Sequence, residues 1–271
     1  MTESPAAERG RTVRGRKADV RQTQIADLVM TRGSCSPQEL ATEFGVSLMT
    51  VHRDLEVLER RGIVRRFHGG VTAQASGVFE AQLSHRLQAK VDEKTAIARA
   101  ALDLVDPGMS LLLDDSTTVR QMIPGLQDKA PLHVATMFLE GLRMLSQIAT
   151  RAELTIIGLG GVYNASHDCF VGLQCIEQIR SIRADAVFLS TSAVSSGDAF
   201  HQEERIVELK RQMLDVATFR CLLVDSSKLG RVALHRVVPL DAFDLIITDA
   251  GANPAVLQAW DTAGIAYQIA T

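Results

Sequence analysis

Hydrophobic residues recur at a helical spacing in the first part of the chain. Ile25, Leu28 and Val29 share one face, which predicts a first helix from Ala18 to Thr31, stopped by Gly33. Ser36-Pro37-Gln38-Glu39 follows. It supplies a capping serine, a proline suited to the first helical position and a glutamate that closes a capping box. A second helix starts there and ends near Gly45. Gly45-Val46-Ser47 makes a turn, and Ser47 caps a third helix that runs to about Arg61, with Gly62 as its stop. On this third helix Leu48, Val51, Leu55 and Leu58 fall on one face, the expected core face. The spacing then shortens. Ile63–Phe67 and the residues from Val71 onward read as two arms of a small hairpin turned at Gly69-Gly70. Residues 73–90 read as a linker that includes a helix.

From about Glu93 the pattern changes again. Seven short β-rich runs alternate with longer segments: MSLLLDD, LHVATM, LTIIGLGG, DAVFLSTS, FRCLLVDSS, DLIITD and IAYQI. Such alternation predicts an α/β body with a mostly parallel sheet covered by helices. Residues 1–17 are rich in Gly, Ala and Arg and lack any period, so they read as a disordered basic arm. The expected organisation is an arm (1–17), a helical head with a hairpin (18–72), a linker (73–90) and an α/β body (91–271). No internal repeat is visible.

Composition narrows the function classes. With 46% hydrophobic and 23% charged residues, the chain is an ordinary soluble globular protein. No apolar run is long enough to span a membrane, and the basic N-terminus lacks the apolar segment of a secretory signal, so a cytoplasmic location is expected. Cys35, Cys169, Cys175 and Cys221 form no CxxC pair, and the seven histidines show no metal spacing. Reduced thiols without a metal are expected. The net charge of −3 is uneven. Residues 1–72 carry 12 Lys/Arg against 9 Asp/Glu, and the remainder carries 17 against 23. A basic head on an acidic body points to a nucleic-acid partner for the head alone.

The third helix fits that partner. Arg53 lies almost opposite its apolar row, flanked by Met49 and Thr50, with His52 and Asp54 toward the sides. Ser47, Met49, Thr50, His52 and Arg53 form the outward N-terminal half, the part that a helix-turn-helix presents to base edges in the major groove. Arginine pairs with guanine, threonine reaches a phosphate or a methyl group, and methionine gives apolar contact. Asp54 would repel phosphates, so its expected task is to pair with a nearby arginine. Arg65, Arg66 and His68 sit on the hairpin, placed to lie along the phosphate backbone.

At these residues the chain resembles a known family. Ser47-Leu48-Met49-Thr50-Val51-His52-Arg53-Asp54-Leu55 and Arg65-Arg66-Phe67-His68-Gly69-Gly70 are similar to the recognition helix and wing of the DeoR-type bacterial regulators of sugar metabolism. His52 stands where that family more usually has arginine. In the body, Lys94–Ala98, Leu113–Thr118, Gly160-Gly161-Val162-Tyr163, Phe170-Val171-Gly172, Asp225–Gly230 and Ile247-Thr248-Asp249 resemble the family's effector domain. The resemblance implies a fold similar to ribose-5-phosphate isomerase and a phosphorylated sugar or polyol as effector. It also implies double-stranded operator DNA as partner, a homo-oligomer, and a repressor of carbohydrate-metabolism genes. Three departures stand out. Ser116 replaces a usual glycine, Thr136-Met137 stands where Thr-Asn is common, and Ser190-Thr191-Ser192 replaces glycine-rich sequence.

The body's own residues suit such an effector. Asp114, Ser116, Thr117 and Thr118 follow an apolar strand and precede an expected helix, whose N-terminus would seat a phosphate. The loop also lies at a strand's C-terminal end, where open α/β sheets bind ligands. Lys228 follows another strand and offers positive charge. Glu204 and Lys210, on the helix after GDAFHQEE, are candidates for sugar hydroxyls or phosphate. Gly158-x-Gly160-Gly161 is only half of a dinucleotide fingerprint, so no cofactor is expected. Two other readings remain open at this level. One is a sugar-phosphate isomerase with a DNA-binding head, for which Asp114, Asp115 and Glu204 are candidate bases although no acid/base pair stands out. The other is a DNA-binding protein that needs no ligand. The first reading, a regulator with no catalytic residues, leads.

Overall fold

All seven β-rich runs become strands of one sheet. The computed structural model describes residues 18–271 apart from 19, 23, 27, 30, 31, 33, 61, 62 and 74–82. The expected arm over 1–17, the stops at Gly33 and Gly62 and most of the linker lie outside the described residues. The chain divides into two units, Met1–Ala89 and Lys90–Thr271.

In the first unit, the described residues between 18 and 32 form helix α1. Then come β1 (Ser34–Cys35), α2 (Pro37–Glu43), α3 (Leu48–Arg60), β2 (Val64–Phe67), β3 (Gly70–Ala73) and α4 (Leu83–Gln88). The capping box forms: the Glu39 amide donates to Ser36 Oγ at 3.1 Å, and the Ser36 amide donates to the Glu39 carboxylate at 2.6 Å. Hydrogen bonds from the Ser36 amide and the Ser36 side chain hold the Glu39 carboxyl below its usual range. Gly45 takes φ +60°, the left-handed turn that a side chain disfavours. The Thr50 amide then donates to Ser47 Oγ at 3.2 Å and starts α3. Ile25, Val29, Leu40, Val51, Leu55, Leu58, Val64 and Val71 form the core of this unit. Two features differ from expectation. β1 joins the hairpin as a third antiparallel strand in the order β1-β3-β2. Leu48 is 40% exposed and not in the core. Side chains lean toward a helix's N-terminus, so that of the first residue leans off the end of the packed layer.

The second unit begins with α5 (Val91–Leu102) and β4 (Ser110–Leu113). It continues through β5 (Leu132–Thr136), α6 (Leu139–Ile148), β6 (Leu154–Gly158), the hairpin strands β7 (Val162–Asn164) and β8 (Cys169–Val171), and α7 (Leu173–Arg180). Next are β9 (Ala184–Leu189), β10 (Ala193–Ser195), β11 (Asp198–His201), α8 (Glu204–Val216) and β12 (Ala217–Leu223). The chain finishes with β13 (His235–Pro239), β14 (Leu245–Asp249), α9 (Pro254–Ala263) and β15 (Tyr267–Ala270). The large sheet has seven strands in the order β15-β14-β12-β9-β4-β5-β6, and every pairing in it is parallel. Neighbouring residues point to opposite faces, and both faces are covered. Leu112, Val187, Leu222 and Ile246 pack with residues of α7, α8 and α9. Leu111, Leu113, Phe188 and Cys221 pack with residues of α5 and α6. The five central strands, buried on both faces, are largely apolar, which is why their runs stood out in the sequence.

From β4 the chain steps outward to β5 and β6. It then returns to the other side of β4 at β9 and continues to β12, β14 and β15. The strand order therefore reverses between β4 and β9. A reversal of this kind opens a crevice at the C-terminal strand ends. One element differs here. The expected helix after Asp114–Thr118 is a 3-10 segment, Val119–Lys129, with Pro124 inside it. Proline has no amide hydrogen to donate and clashes with the preceding turn, so α geometry does not propagate there.

Candidate nucleic-acid interface and effector site

Helix α3 keeps its polar face outward. Ser47, Met49 and Arg53 are exposed, Met49 at 65%, while Thr50 and His52 are half-buried. Ser47 Oγ and Thr50 Oγ1 lie 2.9 Å apart. Arg65, Arg66 and His68 are exposed on the wing. All eight candidate DNA contacts are thus at least partly accessible, and a second pair of them is joined across the helix and wing. Arg66 Nη2 stands 3.3 Å from His52 Nδ1, and the Arg66 amide donates to Glu59 Oε1 at 3.1 Å. The wing is therefore tied to α3 by both the backbone and the side chain of Arg66.

Asp54 is 3% exposed. Its carboxylate accepts bonds from Arg21 Nε at 2.6 Å, Arg21 Nη2 at 3.3 Å and Gln22 Nε2 at 2.9 Å. The expected arginine partner is Arg21 on α1, which the sequence pattern did not single out. A buried anion matched by a cation and an amide is directed into the protein, so an acidic residue on this helix does not oppose phosphate.

In the body, the expected effector residues gather at the strand-order reversal. Asp114 and Asp115 leave the end of β4, at 1% and 2% exposure. Lys210, on α8, is also 1% exposed; its Nζ donates to Asp114 Oδ2 and lies 3.4 Å from Asp115 Oδ1. The Ser190 amide, beyond the end of β9, donates to Asp114 Oδ2 at 2.8 Å. Lys228 Nζ, beyond β12, donates to Ser190 Oγ at 3.2 Å. A single polar chain therefore links the ends of β4, β9 and β12. Asp225 belongs to the same region. Burial pushes its carboxyl up, but the Lys228 ammonium, the hydrogen bonds from Ser227 and the charge of Lys94 outweigh that and hold it below the usual range.

Ser116, Thr117 and Thr118 are buried here as well. The Ser116 amide donates to Asp114 Oδ1 at 2.9 Å, and Ser116 Oγ accepts from the Val119 amide at 3.1 Å. The serine that replaces a glycine thus caps its own loop. Thr118 Oγ1 is buried without a hydrogen-bond partner. Met137 is fully buried in the core. Glu204 is exposed on the first turn of α8, apart from this cluster, and its neighbour Glu203 is the residue that joins it.

Glu203 joins through His167, which no sequence feature singled out. His167 Nδ1 is 2.9 Å from Asp115 Oδ2, and Nε2 is 3.1 Å from Glu203 Oε2. Both nitrogens face carboxylates, a geometry satisfied by a ring that carries a proton on each. Asn164 Nδ2 adds a bond to Glu203 Oε1 at 2.7 Å. The β7–β8 hairpin is in this way fastened to the end of β4 and the start of α8. Among the described residues no group of His, Cys, Asp and Glu has the arrangement of a metal site. The four cysteines are free and buried, and burial pushes their thiols up, that of Cys175 to about 11.

Comparison with known proteins gives two domain matches. The DeoR-like helix-turn-helix domain matches residues 21–76, and the DeoR C terminal sensor domain matches residues 89–250. The chain is similar to the uncharacterized HTH-type transcriptional regulator YgbI of Escherichia coli K12, at 32% identity over 85% of this chain and 89% of that one. It is 28% identical to the glycerol-3-phosphate regulon repressor of the same strain, over 89% and 95%. It is 26% identical to a putative aga operon transcriptional repressor of E. coli O157:H7, over 90% and 91%. Among solved structures, ribose 5-phosphate isomerase A of Methanocaldococcus jannaschii aligns with 51% of this chain and 54% of its own, at 18% identity and a TM-score of 0.37.

Proposed function

Because the chain belongs to the DeoR family, we propose that it is a DNA-binding transcriptional repressor of carbohydrate-metabolism genes whose operator affinity responds to a phosphorylated sugar or polyol. The observation that carries the DNA reading is the outward row of α3, where exposed Met49 and Arg53 stand on the face opposite buried Val51, Leu55 and Leu58. In this reading two copies bind two half-sites, whose centres lie about 34 Å apart or a multiple of it. The effector reading rests on the polar cluster at the strand-order reversal, with Lys228 half-buried at its edge and the orphaned Thr118 hydroxyl inside.

Binding without turnover is part of this proposal. An isomerase needs a carboxylate available to take a proton from carbon. Asp114 and Asp115 are instead engaged by Lys210, the Ser190 amide and His167. Among the described residues no helix is long and apolar enough to cross a membrane.

Arg53→Ala tests the DNA reading. The side chain is exposed, so the fold stays intact, and specific operator binding falls by about 1–3 kcal/mol. Unchanged operator affinity in the folded variant removes α3 as the reader.

A further inference from the structure

We propose that Arg66 sets the tautomer of His52, and that His52 thereby reads a guanine in each half-site. The inference rests on the assignment of α3 as the DNA-reading helix. The observation is the 3.3 Å contact between Arg66 Nη2 and His52 Nδ1. A guanidinium nitrogen carries only donors, so Nδ1 has to be the acceptor. The proton of the neutral ring then sits on Nε2. Which ring nitrogen carries the proton is set by the bond that the other one makes.

Two further features hold this arrangement. The Arg66 amide donates to Glu59 Oε1, which fixes the wing residue against the same helix two turns along. His52 is half-buried whereas Arg53 beside it is exposed, so the ring has fewer positions open to it than a fully exposed side chain. A fixed lone N–H donor in the major groove favours a base edge that offers acceptors alone. Guanine presents O6 and N7, while adenine places an N–H donor beside its N7 and cytosine presents a donor. Arg66 is on this account a positioning residue, while Arg65 is left for phosphate.

The test is selection of binding sites from a randomised DNA library by the full chain and by three variants. The natural chain selects guanine at one position in each half-site by on the order of tenfold over adenine. His52→Gln moves the preference at that position toward adenine, because a glutamine amide pairs with adenine N6 and N7. Arg66→Met flattens the preference at that same position and leaves the others intact. Arg65→Met lowers binding to all sequences alike and changes no preference. Unchanged base preference in Arg66→Met overturns the positioning role. Unchanged preference in His52→Gln overturns the reading role. A natural chain that selects no sequence at all removes the DNA-reading assignment beneath both, and is distinct from either of those results.

Discussion

A carboxylate buried on α3 has to be matched, and Asp54 is matched by Arg21 and Gln22 from a different helix. Removing it strands both partners. Asp54→Ala leaves the Arg21 guanidinium, whose side chain is 21% exposed, and the buried Gln22 amide without an acceptor. Loss of one member of a fully buried pair costs about 3–5 kcal/mol. Partial hydration of Arg21 reduces that, so a loss of about 2–3 kcal/mol in the stability of the head is expected. Asp54→Asn keeps an acceptor for Gln22 and loses less. Denaturant unfolding of the full chain measures both. Stability equal to that of the natural chain in Asp54→Ala would show that the pair contributes nothing to the fold.

The β7–β8 hairpin shows how an element carries a site. It brings Asn164 and His167 to Glu203 and Asp115, and two adjacent glycines lead into it. A Cβ at Gly161 would lie 2.6 Å from the Val171 carbonyl across the hairpin, whereas one at Gly160 would meet its nearest atom, a flexible Gln178 side chain, at 3.8 Å. Gly161→Ala therefore forces the hairpin open and destabilises the body by about 2 kcal/mol. Gly160→Ala is nearly neutral. Equal unfolding midpoints for the two variants would show that the hairpin is not held closely.

The same element marks the limit of what the sequence could show. The five central strands were legible because burial on both faces makes them largely apolar runs. The edge strands β6 and β15 are exposed or half-buried at most positions and were legible by their β-branched and aromatic residues. β7, β8 and β10 are three residues each and β1 is two, too short for a period to establish itself. Asp114, Ser116–Thr118 and Lys228 were legible because they follow apolar runs directly. His167 was not, since its partner Asp115 is 52 residues away and no local pattern joins them. Glu203 was missed by one position. It is the extended residue before α8, and Glu204 is the first helical one. A helix start read from sequence does not resolve a single residue. The core face of α3 was legible except for Leu48, whose place at the helix end took it out of the core that its spacing implied.

At the scale of the whole molecule, charge and function divide along the same boundary. The head carries the basic excess and the helix-turn-helix, and the body carries the buried cluster of aspartates and lysines. A ligand acts on DNA affinity only through a difference in its affinity for the two states of the protein, a coupling of about 1–3 kcal/mol. Hydrogen bonds to a charged phosphate are worth about 1.5–3 kcal/mol each, so the unphosphorylated sugar forfeits most of that binding. The most direct measurement is a titration of labelled operator DNA with the full chain, alone and with a panel of sugar and polyol phosphates beside their plain forms. At least one phosphorylated compound is expected to shift operator affinity by about 5–150-fold, its plain form is not, and Lys228→Ala is expected to abolish the shift while keeping ligand-free affinity. Tight operator binding that is indifferent to every phosphorylated compound, or an equal response to plain and phosphorylated forms, would contradict that expectation.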